Sequence, residues 1–467
     1  MKTAILIEEL ISIAGITKKD FAASVALSPS GLSRFLSGQQ SPDLRDHKSF
    51  SSGASQILAP AIFESNCHLR LSGLFPFIYE FTSRNDLQIF LKSAISYALG
   101  QDYAEEYDIY LDYQEEESFY YNQRQVLNMS CIILSDFLQQ GQDEAFEFYS
   151  TMPLLFGELP YLLKRVLFNN PRQQKIYWHQ SLNFERAALA DDYVQVNNPF
   201  GKIHQLEQSF DLYFWESNSS DKQHYILLKN HCLLVYSALP DAAPTLKLIR
   251  NKNYLLRFLQ FIDKSWGRKL SFNGEEARQL LDQDPALLTG LLDRGLQAVY
   301  NFVPVNYVLT ADEMAETGAS PEERERMQSF LHGLIKSDAD FYYSSSAVSE
   351  FSRSGKAIVP LTGLVSIPEE KRVELLQRLE NEVSPEMRRH SRLIYTSMSN
   401  AAILCCQDMS LLYMINQDGS SEKVHLFLMK NIADYLEEDY RRKQFRLVDY
   451  SKSRWQAYLD EVSSRFS

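Results

Sequence analysis

Residues 16–42 read ITKKDFAASVALSPSGLSRFLSGQQSP, and the spacing of their apolar positions points to two short helices. Phe21, Ala22 and Val25 line one face of a helix that starts near Thr17, whose hydroxyl is placed to cap it. Ala22 is small at the point where a second helix must come close. Ser28 is the expected N-cap of that second helix and Pro29 its first residue, because proline lacks only an N–H that would be unpaired there anyway. The second helix is therefore expected over Pro29 to Leu36. Leu32, Phe35 and Leu36 face inward with Leu27 before them, and Ser30, Gly31, Ser33 and Arg34 face outward.

Upstream, ILIEELISIAG at 5–15 reads as a further helix, with Leu6 and Leu10 as core positions. Glu8 and Glu9 interrupt its apolar streak, which a secretory signal would not carry. Downstream, DLRDHKSFSSGASQ at 43–56 is polar and small until apolar residues resume at Ile57. A short connection, or one or two more helices of the same module, fits there, and the module is taken as residues 1–66.

Helix, short turn, second helix and the closing Gly38-x-x-x-Pro42 together resemble the XRE (lambda-repressor-like) family of helix-turn-helix transcription regulators. The resemblance is confined to the N-terminal part of the chain. It implies an all-α lambda-repressor-like head on a bacterial-type, DNA-binding regulator. The recognition helix would enter the major groove, with Arg34 reaching a base edge or phosphate. Ser28, Ser30 and Ser33 would make shorter contacts, Gly31 would allow close approach, and Lys18, Lys19 and Gln39 would hold the DNA backbone. One such head buries little surface, so a homodimer on a two-fold site of double-stranded DNA is implied. One position departs from the family: its usual turn glycine is Ala26 here, and a positive φ there costs alanine about 1 kcal/mol.

The chain has 467 residues, room for two to four domains. Its formal charge is −13, which excludes a surface that coats nucleic acid broadly. The first 48 residues hold 6 Lys or Arg against 5 Asp or Glu, and the remainder 41 against 55, so any DNA contact is confined to the head. From about residue 70 to 170, apolar residues at three-and-four spacing, among them Leu127, Ile132, Ile133, Phe137 and Leu138, read as helical. Residues 67–222 are assigned to this middle region, the expected seat of dimerisation.

Turn-forming text between Asp191 and Asp221 suggests a boundary, and residues 223–467 read as an α+β region. The fold class expected is thus mainly α with a C-terminal α+β region. Two passages look alike: HYILLKNHCLLVYSAL at 224–239 with YLLRFLQFIDK from 254, and AAILCCQDMSLLYMI at 401–415 with VHLFLMKNIADYLEEDY from 424. Each reads as a hairpin followed by a helix, which suggests duplication of that unit. A region this large is expected to receive a signal, from a small-molecule or peptide effector.

No Walker loop, nucleophile elbow or zinc helix is present in the sequence, so no catalytic residues are named and the chain is not read as an enzyme. Cys67-His68 and His231-Cys232 lack the paired spacing of a zinc site, and adjacent Cys405 and Cys406 read as buried strand residues. No metal or other cofactor is implied. No apolar run suits a membrane span, and the chain is read as cytoplasmic, with its few scattered cysteines reduced. The rival reading is a protein-interaction or scaffold protein whose head does not bind DNA. A third is an enzyme with scattered catalytic residues.

Overall fold

The computed structural model describes residues 2–39, 42, 46–65, 67–106, 117–140, 145–152, 166–169, 174–182, 206, 209–217, 224–237, 243–273, 275–284, 286–301, 304–344, 347–382, 391–394, 401–415, 422–428, 447–449, 453, 457, 460, 461 and 464. Helices α1 (Thr3–Ala14), α2 (Lys18–Ser24), α3 (Pro29–Leu36) and α4 (His47–Glu64) come first. Leu6, Leu10, Phe21, Ala22, Leu32 and Phe35 are buried among them. Phe50 of α4 closes this core edge-on to Phe21 and Phe35, at 6.3 and 5.3 Å between ring centroids.

The polar text after Pro42 thus contains a long helix. Its small residues are the reason: Ser51, Ala54 and Ser55 are buried and permit close approach. The buried hydroxyls donate to carbonyls one turn back, Ser51 to Lys48 at 3.2 Å and Ser55 to Ser52 at 3.0 Å. Beyond it, α5 (Arg84–Glu106) packs along α4 and α1. The Thr3 N–H donates to Asp102 Oδ2 at 2.9 Å, and Lys2 pairs with Glu105.

The expectation of a mainly α chain is overturned by two eight-stranded mixed sheets. The first opens at β2 (Glu117–Tyr121) and takes in β3 (Phe146–Ser150), β5 (Ile176–Leu182) and β6 (Asp211–Ser217), all before residue 223. It continues through β7 (His224–Leu228), β8 (Cys232–Ser237), β9 (Thr245–Ile249) and β10 (Trp266–Lys269). A separate pair, β1 (Phe77–Tyr79) with β4 (Val166–Phe168), is antiparallel. Alternating burial along β3 and β6 is the signature of strands covered unequally on their two faces. Apolar density over 70–170 predicts helix throughout. That holds for α5 and for α6 (Gln123–Gln140), where Leu127, Ile132, Ile133, Phe137 and Leu138 are all buried, but not for β1 to β4.

The second sheet comprises β11 (Ser271–Asn273), β12 (Leu296–Asn301), β13 (Asp340–Ser344), β16 (Ser391–Ile394), β17 (Ala401–Cys406), β18 (Ser410–Ile415), β19 (Glu422–Phe427) and β20 (Leu447–Asp449). A hairpin of β14 (Lys356–Val359) and β15 (Gly363–Ser366) stands apart from it. Val424–Phe427, expected to open a helix, is strand β19 because it pairs antiparallel with β18; the rest of that expected helix, from 429 on, lies outside the described residues. Cys405 and Cys406 are buried in β17, and burial pushes both thiols up to about 12.

The two sheets have one topology. The first runs β10-β6-β5-β3-β7-β8-β9-β2 and the second, read from its far edge, β20-β16-β13-β12-β17-β18-β19-β11. Strands at equal positions follow one another in the same chain order. Directions agree as well: β3–β5 and β12–β13 are parallel, and β3–β7 and β12–β17 antiparallel. The meanders β7–β8–β9 and β17–β18–β19, and the edge pairs β2–β9 and β11–β19, are antiparallel too. The likeness first visible in two hairpins therefore extends to the order of eight strands.

By internal contacts the described chain divides into a unit ending at Gly267 and one starting at Arg268, with Tyr213–Trp215 of β6 grouped with the second. Within the first unit, Asp136 of α6 is fully buried. It accepts from the Tyr97 hydroxyl at 2.8 Å, and that hydroxyl accepts from Arg250 Nη2 at 2.9 Å. His231, in the β7–β8 turn, holds Nε2 at 3.9 Å from Asp136 Oδ2. Among the described residues, no helix is long and apolar enough to cross a membrane.

Candidate nucleic-acid interface

The joint between α2 and α3 is built from local rules. Thr17 caps α2, its hydroxyl accepting from the Asp20 N–H at 3.1 Å while donating to Asp20 Oδ2 at 2.6 Å. At the other end of α2, Ala26 has φ 55°, a left-handed conformation that glycine adopts freely and alanine does not. The Leu27 N–H reaches back to the Ala22 carbonyl at 2.9 Å, and the Ala26 N–H to that of Ala23 at 3.4 Å. These two bonds close the helix in a Schellman arrangement. Ser28 then caps α3 by accepting from the Gly31 N–H at 3.0 Å, with Pro29 in the first helical position.

Burial sorts α3 into two faces. Leu32 and Phe35 point into the core, whereas Ser28, Ser30, Ser33 and Arg34 are exposed. Leu27 and Leu36, expected inside, are half-buried. Gly31, expected outside, is half-buried too, and a Cβ there would stand 3.1 Å from Ser28 Oγ. Room for the cap is thus a structural reason for glycine at 31. Ser28 Oγ also lies 3.0 Å from Ser30 Oγ, so both hydroxyls are partly engaged within the helix start. Past α3, Gly38 takes φ 73° and Gln39 is exposed.

Lys18 and Lys19, at the start of α2, are both exposed. Lys18 Nζ meets Glu8 Oε1 of α1 at 2.7 Å, and that carboxylate offsets part of its charge. A cleft of about 420 Å³ lies between Glu8, Lys18 and Lys19 on one side and Pro29, Ser33 and Ser37 of α3 on the other. Of the expected residues, Lys18, Lys19 and Ser33 therefore border one recess, together with Leu32 and Leu36, whereas Ser28, Ser30, Gly31, Arg34 and Gln39 do not line it. Glu8 and Ser37 are not legible as parts of it: Glu8 reaches the site because α1 packs on α3 and α4. Ser37 does carry a signal, standing four residues after Ser33 on the same helical side. Among the described residues, no group of three or more His, Cys, Asp and Glu gathers as a metal site.

No family model matches the chain, and no curated protein matches it. One similar solved structure is that of TrmBL2, an archaeal chromatin protein reported to show a novel mode of DNA binding. It is 11% identical, with 50% of this chain and 97% of that chain covered, at a TM-score of 0.19. A likeness at that level establishes neither the fold nor the function of this chain.

Proposed function

We propose that α1 to α4 form the DNA-reading head of a transcription regulator that resembles the XRE family. The observation that carries this reading is the two-faced α3. Leu32 and Phe35 anchor it, and it offers Ser30, Ser33 and Arg34 to solvent beside a recess edged by Lys18 and Lys19. A helix that is small, polar and cationic on its outer face fits the major groove, and the recess beside it suits a phosphodiester backbone. The same packing buries no side chain of that outer face, so the contacts proposed for it need no rearrangement of the core.

Selection of duplexes bound by the full-length chain, followed by titration at fixed salt, tests the reading. Arg34→Ala is expected to weaken binding to the selected duplex by about 1 to 3 kcal/mol and to leave thermal stability unchanged. Equal affinity of wild type and variant for that duplex removes Arg34 from the interface. Absence of any selected sequence refutes the sequence-specific head.

A further inference from the structure

We propose that a second copy of this chain adds to the first eight-stranded sheet at the edge formed by β2, two β2 strands pairing antiparallel about Phe119. An edge strand is a row of unused backbone donors and acceptors, and folded proteins blunt such rows with short strands or with positive charge. The other edges of the two sheets are blunted in these ways. β10 reads Trp266-Gly267-Arg268-Lys269, and β11 and β20 are three residues each. β2 has five residues, ESFYY, without lysine, arginine or proline. Among the described residues, β9 is its one strand neighbour.

The side chains of β2 agree with an open edge. Phe119 is 50% exposed and Tyr121 59%, an unusual outlay of aromatic surface on one face of a strand. Tyr121 is also the natural end of the pairing segment, because its N–H already donates to Gln125 Oε1 at 3.2 Å. Antiparallel pairing about Phe119 sets the two Phe119 rings across from each other on the same face. Aromatic pairs of this kind stabilise neighbouring strands.

Charge selects a second copy in this orientation as the occupant. In sequence, the acidic run Glu115-Glu116-Glu117 precedes the strand and Arg124 follows it; the Arg124 side chain is half exposed, with its Nε 3.6 Å from Asp86 Oδ1. Antiparallel self-pairing lays the acidic flank of each copy toward the Arg124 flank of the other, whereas parallel pairing would lay acid beside acid. The choice of a copy of this chain also rests on the proposed head, which needs a second head for a two-fold duplex.

The test is sedimentation of the full-length chain without DNA across the micromolar range, for wild type, Phe119→Lys and Phe119→Cys. The wild type is expected to dimerise. Phe119→Lys is expected to raise the dimer dissociation constant roughly 100-fold or more, since it sets two ammonium groups face to face. Phe119→Cys is expected to crosslink under mild oxidation, because residues opposite each other in such a pair hold Cα atoms about 5.5 Å apart. A monomeric wild type overturns the proposal, as does a folded Phe119→Lys chain that dimerises unchanged. Should that variant misfold, absence of the Phe119→Cys crosslink overturns it. Duplex binding is read separately, so a failed head and a failed edge give different results.

Discussion

Gly53 of α4 lies so close to the Ser24 carbonyl at the end of α2 that a Cβ added to it would stand 2.5 Å from that oxygen. Backbone meets backbone here, with no flexible side chain to give way, and Val25 Cα is 3.6 Å from the same point. Helix propensity and packing therefore make opposite demands at one residue. Alanine in a helix interior gains up to about 1 kcal/mol over glycine, whereas overpacking a close contact costs about 1 to 3 kcal/mol. Gly53→Ala is expected to destabilise the head, lowering the amide-exchange protection of Phe21 and Leu32. Protection equal to or above wild type would show that α4 does not seat against Ser24.

The turn between α2 and α3 makes a second prediction, because its strain and its cap act in opposite senses. Ala26→Gly removes the steric cost of φ 55° and is expected to stabilise by a few tenths to about 1 kcal/mol. Ser28→Ala removes the acceptor for the Gly31 N–H and is expected to cost about 1 kcal/mol. Denaturant unfolding followed at the head measures both. A stabilising Ser28→Ala would mean that the cap contributes nothing.

At the recess beside α3, the two lysines are not equivalent. Lys18 is held by Glu8, and Lys19 has no ion pair among the described residues. Lys19→Ala is expected to lower the salt dependence of duplex binding by about one unit of log–log slope. Lys18→Ala is expected to lower it less, and Glu8→Gln to tighten binding at low salt. Equal slopes for the two lysine variants would refute the screening by Glu8.

His231 makes the chain sensitive to acid. Burial holds its imidazole down to about 4, against an ordinary value near 6.5; the Asp136 carboxylate opposes that shift and the Arg250 charge adds to it. The unfolded chain thus binds a proton that the folded chain refuses. Stability from this group is full above about pH 6.5 and falls as the pH drops toward 4, by at most about 3 kcal/mol. His231→Gln, which takes no proton, is expected to show a smaller loss between neutral pH and pH 4.5 in urea unfolding. The same loss in both proteins would assign the acid sensitivity to other groups.

The head was legible because its instructions are short-range. Thr17 and Ser28 cap helices that begin one residue later, Pro29 presets the first turn of α3, and Ala26 sits where α2 must reverse. Each acts within about one helical turn, so each shows in the text itself. Placement of the cations depends on more: Lys18 meets a glutamate ten residues away, and the packing of α1 on α3 and α4 sets where that glutamate lies.

The hairpins β7–β8 and β17–β18 are legible in the sequence, but the strands before residue 223 are not, because strand identity is settled by neighbours. β2 pairs with β9, more than a hundred residues later, and a five-residue run of mixed aromatics carries no local mark of that partner. Leu127 to Leu138 announced α6 correctly, since eighteen residues give a helical period room to repeat. Likewise, two hairpins resembled each other in sequence, but the match of all eight strands appeared only when their order was known.

By itself, then, the sequence determined the caps, the turn and the outward face of α3, all of which rest on hydrogen bonds and sterics between near neighbours. Tertiary structure alone decided that Gly53 seats α4 against Ser24, that β2 ends its sheet among the described residues, and that two sheets share one strand order. These relations join residues distant along the chain, and the energy that selects them exists only once the partners are packed together.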